Sequence, residues 1–336
     1  MRKSMIIAAL CPLTLLVGWY SWSKAFRYAP MRDLLLEIGP VDLPAGATHE
    51  QAPQPVPTIS VLHTSGWLHG FRVELIDARG RTAPSELLHH VKVMSMSQRE
   101  LFHPITLRVI GAGAETRPVQ LPQALGYPLR QGDTLLVTAM LHNPTSEAYQ
   151  GLRVRIIAQY TPRGAPPEPE AVYPFFTHVT APDSASFYDL PPGRSERSRW
   201  IQPAIAGRVI GLGGHLHRYG VQLTFEDVTT GTVLWKSQAV RDSAGHVLEV
   251  PTRFFLWRGG LRIRPDHLYR VTGVYFNPTG DTLRGAGMAT VGGALRPDSR
   301  TVWPTPDRQH PIYRIDLAQE LATDRPGHAA HAGHHD

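Results

Sequence analysis

The stretch DTLLVTAMLHNPT, residues 133–145, predicts the fold of this chain. A mostly apolar run without helical period ends at Asn-Pro, where the chain must leave a sheet. Residues 267–279, HLYRVTGVYFNPT, repeat the pattern of a strand that ends in Asn-Pro-Thr. Other stretches, such as GFRVELIDARG and VQLTFEDVTTGTVLW, alternate or run apolar between turn formers. Short, evenly spaced strands without long helical patterns are typical of the all-β sandwich class.

The length and this internal repeat favour two domains. A chain of 336 residues can build two cores, and the loop TPRGAPPEPE, residues 161–170, precedes their expected junction. We therefore expect two tandem antiparallel β-sandwich domains with a jelly-roll-like topology. The expected segments are a signal peptide or membrane anchor (1–25), a linker with a short helix at Met31–Ile38 (26–57), an N-terminal domain (58–180), a C-terminal domain (181–320) and a disordered histidine-rich tail (321–336).

The first residues indicate export. Arg2 and Lys3 precede the apolar stretch MIIAALCPLTLLVGW, residues 5–19, in the order of a secretory signal. The triplet Ser23-Lys24-Ala25 offers a cleavage site, whereas an extension of the apolar run through residues 20–22 would suit a retained anchor. Both alternatives stay open. Either one predicts a periplasmic or extracellular protein, and the second adds an N-terminal association with the membrane.

Charge and composition exclude several classes of function. The formal net charge of +6 is spread along the chain, without a basic run interleaved with aromatics, so we expect no nucleic-acid binding. The single cysteine, Cys11, lies inside the apolar segment, so the exported part has no disulfide and no thiolate ligand. The sequence also contains no nucleophile elbow, phosphate-binding loop or His-Glu-x-x-His motif.

The first predicted domain contains three histidines that are candidate metal ligands: an adjacent pair and a single histidine further along the chain. His89 and His90 lie together in the strand-like stretch LLHHVKVM. Neighbouring side chains of a strand point to opposite faces, so both can bind one ion only at a strand end or a twist. His142 closes the strand LLVTAML. The plainer interpretations are a surface histidine pair and a hydrogen-bonded histidine.

The second predicted domain offers a more specific pattern. His215 and His217 are two residues apart on a strand, so both rings reach the same point and can chelate an ion. The glycines at 213 and 214 leave room for a close backbone approach. Met288 lies among small residues, where its thioether is reachable, although core packing is what methionine usually does. The four histidines of the tail predict only loose metal affinity.

In order and spacing, these motifs resemble the copper type II, ascorbate-dependent monooxygenases, the group of peptidylglycine α-hydroxylating and dopamine β-monooxygenases. Proteins of that family have a His-His pair in an apolar strand, like LLHHVKVM, and a third ligand on a strand like GDTLLVTAMLHNP. A Pro-Pro-Gly segment follows, as in DLPPGRSE, then a His-x-His motif, as in GGHLHRYG, and finally a methionine. The resemblance covers about residues 60–295.

The resemblance implies an enzyme that hydroxylates a C–H bond of a small organic substrate with dioxygen. It implies two copper ions, with ascorbate or another one-electron reductant as co-substrate. One ion would transfer electrons and the other would bind oxygen; their ligands would be His89, His90 and His142 for the first, and His215, His217 and Met288, the catalytic set, for the second.

Two features of the chain depart from that family. Its members carry disulfides, which this chain lacks outside the apolar segment. The Asn-Pro end of the strand also allows an alignment in which Met140 replaces His142 as the third ligand. Two other functions stay open: an exported copper-binding or copper-delivery protein on the same scaffold, and an interaction module without catalysis.

Overall fold

The computed structural model describes residues 28–322, apart from 49–50, 115, 117, 165, 183 and 185–186, and the side chain of Arg258. The predicted signal or anchor segment and residues 323–336 of the predicted tail lie outside the described residues. No helix in the described part of the chain is long and apolar enough to cross a membrane.

Strands of the first half, residues 28–171, form two sheets. The strands are β1 (Arg32–Leu43), β2 (Thr58–Val61), β3 (Gly66–Ile76), β4 (Leu88–Arg99), β5 (Thr106–Ala112), β6 (Val119–Gln120), β7 (Leu125–Leu129), β8 (Thr134–Leu141), β9 (Tyr149–Pro162) and β10 (Glu170–Ala171). One sheet has the order β1-β9-β3-β7-β10, with β6 beside β3, and the other has the order β2-β8-β4-β5. A short 3-10 helix, Ser85–Leu87, leads into β4.

Strands of the second half, residues 172–322, form two larger sheets and two small ones. The strands are β11 (Tyr173–His178), β12 (Tyr188–Leu190), β13 (Gly193–Ile201), β14 (Gly207–Leu216), β15 (Gly220–Asp227), β16 (Thr232–Gln238), β17 (Val240–Arg241), β18 (Val247–Glu249), β19 (Arg253–Phe254), β20 (Leu261–Ile263), β21 (Tyr269–Asn277), β22 (Leu283–Gly287) and β23 (Ala289–Pro297). The larger sheets are β11-β23-β14-β19, with β20 beside β14, and β13-β21-β15-β16, and the small ones are β12-β22 and β17-β18. A 3-10 helix, Leu256–Arg258, and the helix α1 (Pro311–Leu321) complete the half.

The predicted all-β sandwich class is confirmed. Apart from the short parallel pair β7-β10, the described ladders are antiparallel. In the first half, Val91 and Val93 of one sheet and Val154 and Ile156 of the other are buried in one continuous core. Within the described residues, no strand of the first half pairs with a strand of the second. The exact domain boundary at residue 180 stays a prediction.

The predicted linker at residues 26–57 is wrong, and so is its short helix at Met31–Ile38. Residues 32–43 form β1, whose pairing with β9 runs from Arg32 opposite Tyr160 to Leu43 opposite Tyr149. Buried Leu36 and Ile38 alternate with more exposed neighbours, as the period of a half-buried strand requires. Residues 32–43 form a strand because they pair with β9, which lies far away in the sequence. The local sequence does not reveal this pairing.

The proline-rich stretch after β1 is also part of the folded body. The amide group of Gln54 accepts a hydrogen bond from the Leu141 nitrogen at 2.7 Å and donates one to the Leu141 carbonyl at 2.9 Å. Ala52 is buried beside it. This stretch therefore covers the end of β8, which precedes His142.

Both Asn-Pro-Thr motifs make the same hydrogen bonds. The buried Asn143 side chain donates to the carbonyls of Pro44 and Glu147 at 2.8 and 2.7 Å, and Asn277 donates to those of Leu190 and Asp281 at 3.0 and 2.8 Å. The threonine two residues later donates its backbone N–H to each asparagine side-chain oxygen. The internal repeat of the sequence is therefore a repeat of structure, in which each asparagine fixes the chain where it leaves the sheet.

Helix α1 was not expected, because the segment was assigned to the end of a β domain and a disordered tail. His310 caps it by accepting a hydrogen bond from the Ile312 nitrogen, and Pro311 occupies its first turn, where proline is tolerated. Its buried acids, Asp316 and Glu320, pair with Arg108 of β5 in the first half. The helix therefore connects the end of the chain to the first half.

Candidate metal centre

A β-bulge brings His89 and His90 to the same place. In the ladder between β4 and β8, Leu88 lies opposite Leu141 and His90 lies opposite Met140, so His89 is an extra residue of β4. Such a residue bends its strand and redirects the side chain. The two Nδ1 atoms lie 2.9 Å apart, with ring centroids 4.2 Å apart. The bulge removes the obstacle that strand alternation poses for adjacent ligands.

His215 and His217 lie at the end of β14, with ring centroids 5.1 Å apart. Between them, Leu216 is buried on the opposite face. A Cβ atom at Gly214 would lie 2.6 Å from the Thr290 carbonyl oxygen and 2.3 Å from Leu223, so only glycine allows this approach. The close packing of β14 against its neighbours thus fixes the position of the two imidazoles.

The phenol of Tyr275 holds the backbone on both sides of this strand end. It donates to the Met288 carbonyl oxygen and accepts from the backbone nitrogens of His217 at 3.0 Å and Met288 at 3.1 Å. Burial raises the pKa of the Tyr275 phenol well above its usual value, so the hydroxyl keeps its proton and can donate. Tyr275 therefore fixes His217 and Met288 relative to each other.

All five predicted histidines form one group, which we call the histidine cluster: His89, His90, His142, His215 and His217. The ring of His89 lies 6.2 Å from that of His217, and His90 lies 6.0 and 6.5 Å from His215 and His217. The two predicted ligand sets therefore meet in a single place and do not face each other across an open cleft. Each half of the molecule contributes one side of the cluster.

Three members of the cluster could hold one ion together. One nitrogen each of His90, His215 and His217 lies within 4.8 Å of the other two. Two nitrogens bound to a common ion at about 2.1 Å would lie about 3–4 Å apart, so small ring movements suffice. Burial is the largest cause that lowers the pKa of His90 well below its usual value, and the charge of His89 adds to it. His90 is therefore neutral, which is the form that binds a metal.

The other predicted donors lie beside this group. His142 donates from Nε2 to the Glu86 carbonyl oxygen at 2.6 Å, and its ring lies 5.6 Å from that of His89. Buried Met288 shares a cavity lining with His90 and His215. Met140 lies opposite His90 in the ladder, so the two side chains share a face of the sheet. Both His142 and Met140 thus remain candidates for a further ligand.

A cavity of about 450 Å³, which we call the central cavity, adjoins the histidine cluster. Its walls come from β3, β4 and β5 of the first half and from β11, β14 and β23 of the second half. Helix α1 closes part of its edge with Asp316 and Glu320. A ligand bound in the cavity would therefore lie next to His90, His215 and Met288.

Several residues of the site were not predicted from the sequence. Phe187 packs 5.4 Å from the ring of His217, and His178 and His103 line the cavity. Burial lowers the pKa of His178 to about 3, and its Nδ1 lies 2.8 Å from the Thr290 hydroxyl. The available signal for Tyr275 was its place in the internal repeat, where it corresponds to Leu141 of the first half.

Comparison with known proteins gives no family. No family model matches the chain, and no curated protein matches it. The solved structure of PNGase F, a glycosylasparaginase from Flavobacterium meningosepticum, gives a TM-score of 0.45 and 10% identity, over 80% of this chain and 97% of that one. A structure of a peptide-N(4)-(N-acetyl-β-D-glucosaminyl) asparagine amidase gives 0.41 and 9%, over 82% and 100%.

These comparisons correct the expectation drawn from the motifs. The resemblance to copper type II, ascorbate-dependent monooxygenases is wrong, because no family model supports it and these similar structures are named as amidases. The predicted C–H hydroxylation and the oxidoreductase class are withdrawn with it, and the copper-delivery and interaction-module alternatives gain no support. Each motif that carried the resemblance was short. At 9–10% identity and these TM-scores, no amidase activity is transferred to this chain.

Proposed function

We propose that this protein binds a transition metal ion at the histidine cluster, with His90, His215 and His217 as the primary ligands. The observation that carries the proposal is the convergence of one nitrogen from each of these residues to within 4.8 Å, from two separate halves of the chain. Single histidines occur in many protein cores. Five half-buried histidines in one group are unusual, and a shared ligand would explain their arrangement. A bound ion is such a shared ligand.

The proposed ion has an open side. Sites with three protein ligands and one exchangeable position are typical of metals that bind or activate a small molecule, whereas structural sites are closed by a fourth protein ligand. Here the central cavity begins at His90 and His215. We therefore propose a centre that binds a small molecule at the metal, with His89 and His142 as supporting groups around it.

Imidazole suits zinc, copper, nickel and iron alike. We therefore propose the ligands and not the identity of the ion, which metal analysis determines. Export is part of the proposal as well, since the order of charges and apolar residues at positions 2–19 is that of a secretory signal.

The test is metal stoichiometry in a form of the full chain whose tail histidines, 328, 331, 334 and 335, are replaced by serine. Apoprotein is dialysed against zinc, copper, nickel or cobalt in turn, and bound metal is measured by mass spectrometry. We expect about one tightly held ion per chain. The double variant His215→Ala/His217→Ala should retain almost none.

The matched control is His63→Ala, since His63 is exposed and belongs to neither the cluster nor the cavity lining. It should bind as much metal as the parent protein. Equal metal content in the double variant and the parent would overturn the proposed ligand set, provided that circular dichroism shows both to be folded.

A further inference from the structure

The central cavity has a chemical character of its own. It is larger than a bound ion and its water ligands require, and its volume of about 450 Å³ lies within the range of sites for small organic molecules. Besides His90 and His215, the lining of the cavity includes Lys92, Arg108 and helix α1. The properties of its walls therefore indicate what kind of molecule fits.

Aromatic rings lie over glycine backbone along these walls. A Cβ atom on Gly292 would lie 3.1 Å from the ring of Phe176, and one on Gly211 would lie 3.0 Å from the ring of Phe254. Phe71 is a further aromatic lining residue. The rings of Phe176 and Phe254 contact bare strand backbone and also line the cavity, and aromatic rings bind other rings by stacking or edge contacts. These walls favour a flat, apolar molecule.

The charged groups that line the cavity neutralise each other. Lys92 Nζ lies 2.5 Å from Glu320 Oε1, and the guanidinium of Arg108 contacts both Asp316 and Glu320. These two cations and two anions are the charged residues among the described lining residues, apart from histidines. Burial lowers the pKa of His103 and His178, which keeps both rings neutral. In the metal-free chain, a charged ligand would therefore lose its hydration without gaining a counter-ion.

We propose that the central cavity binds an uncharged aromatic molecule, whose ring packs against Phe176 and Phe254 and whose polar end faces the histidine cluster. This inference deepens the proposed metal centre, since only the direction of the polar end depends on a bound ion. The aromatic walls and the balanced charges are independent of the metal.

Three probes with the same ring system and different charges test the inference: 2-naphthylmethanol, 2-naphthoate and 2-naphthylmethylammonium. Binding to the metal-free full chain is measured by equilibrium dialysis at neutral pH. The alcohol should bind at least about tenfold more tightly than either ion, because a buried charge without a partner is costly. Equal or tighter binding of the anion or the cation would overturn the inference.

A substitution in the cavity wall tests whether the probe binds in the central cavity. Gly111 lines the cavity, and a Cβ atom there would make ordinary contacts of 3.5 and 3.6 Å with Phe176, so Gly111→Leu should fill space without a backbone clash. We expect it to weaken naphthylmethanol binding by at least about tenfold. The matched control is Gly280→Leu, because Gly280 has nothing within 4 Å of its Cβ position and does not line the cavity.

If Gly111→Leu does not fold, the smaller substitution Gly111→Ala should still weaken the binding of 2-naphthylmethanol severalfold. Unchanged binding in a folded Gly111 variant would place the molecule elsewhere and overturn the inference. Metal stoichiometry on the same variant separates the two proposals. Loss of probe binding in a variant that takes up a full complement of metal supports both proposals. Probe binding by a parent chain that takes up no metal when metal is supplied leaves the cavity inference standing and removes the metal centre.

Discussion

The two halves of the molecule end an equivalent strand in the same way and use it differently. Strands β8 and β21 both run into an Asn-Pro-Thr motif whose asparagine makes the same set of hydrogen bonds. Counted back from the asparagine, Leu141 and His142 of the first half correspond to Tyr275 and Phe276 of the second. A core leucine thus corresponds to the phenol that holds His217, and a cluster histidine corresponds to an exposed phenylalanine.

The repeat therefore specifies the framework of the two halves, and it does not specify the histidine cluster. In the first half, a bulge in β4 places His89 beside His90. In the second, the strand alternation of β14 aligns His215 and His217, and Tyr275 fixes the end. Two unrelated local solutions therefore deliver imidazoles to one point. Convergence of this kind is what a common ligand would require, which is why the cluster, and not the repeat, supports the proposed metal centre.

Replacement of Asn143 or Asn277, which the two halves share, should cause the largest loss of stability. Asn143→Ala and Asn277→Ala each remove a buried side chain that donates to two carbonyls, so each should lower the free energy of unfolding by about 2–4 kcal/mol. Urea unfolding measures the loss. Matched controls are Thr145→Val and Thr279→Val, which keep the asparagine and should cost less.

Equal losses in the two asparagine variants would establish that both halves depend on the same turn. A loss confined to one of them would mean that the repeat is only geometric. The two halves would then owe their strand ends to different interactions.

Replacement of the phenol tests the feature that only the second half has. Tyr275→Phe removes the hydrogen bonds to His217 and Met288 and should weaken metal binding about 10–100-fold, as losses of groups that orient a ligand usually do. The measurement is competition against a chromophoric chelator. The matched control on the same strand is Tyr269→Phe, whose hydroxyl accepts from the Arg264 nitrogen away from the cluster.

A purely structural role for Tyr275 would appear as equal destabilisation in the metal-free and metal-loaded forms, with unchanged affinity. The proposed positioning role instead predicts a larger change in the loaded form. Cobalt provides a second readout, since its visible spectrum responds to ligand geometry.

Sequence alone could predict the fold class but not every strand. The apolar run of β8, the alternation along β21 and the Asn-Pro-Thr ends are local signals, and they were sufficient for an all-β sandwich. Strand β1 was missed because its partner, β9, lies more than a hundred residues away and because prolines around it suggested a linker. Helix α1 was missed because its stability rests on distant contacts with Arg108.

The candidate site shows the same division between local and distant information. The spacing of His215 and His217 predicts a shared face from strand geometry alone. The bulge at His89 depends on the register between two strands, which a single sequence does not reveal. The order of short motifs was a poorer guide, since it suggested a family that the comparisons do not support.

The smallest change in stability concerns Glu100, a buried acid of the first half that forms a backbone hydrogen bond with Phe176 of the second. Glu100, directly after β4, accepts hydrogen bonds from the backbone nitrogens of Leu101 and Arg108. Burial raises the pKa of its carboxyl group from 4.5 to about 7. Between these two pH values the folded chain keeps a proton that the unfolded chain releases, so stability falls as the pH rises through this window.

Glu100→Gln removes this titration. At pH 8 the variant should be more stable than the parent by about 1–2 kcal/mol, because the parent then buries a charged carboxylate. Near pH 4.5 the difference should vanish or change sign, since the parent carboxyl is protonated there. Urea unfolding at both values checks this, with Glu147→Gln, at an exposed site of the same half, as the control. A variant that is less stable at pH 8 would mean that the charge of Glu100 stabilises the fold through its interaction with Arg108.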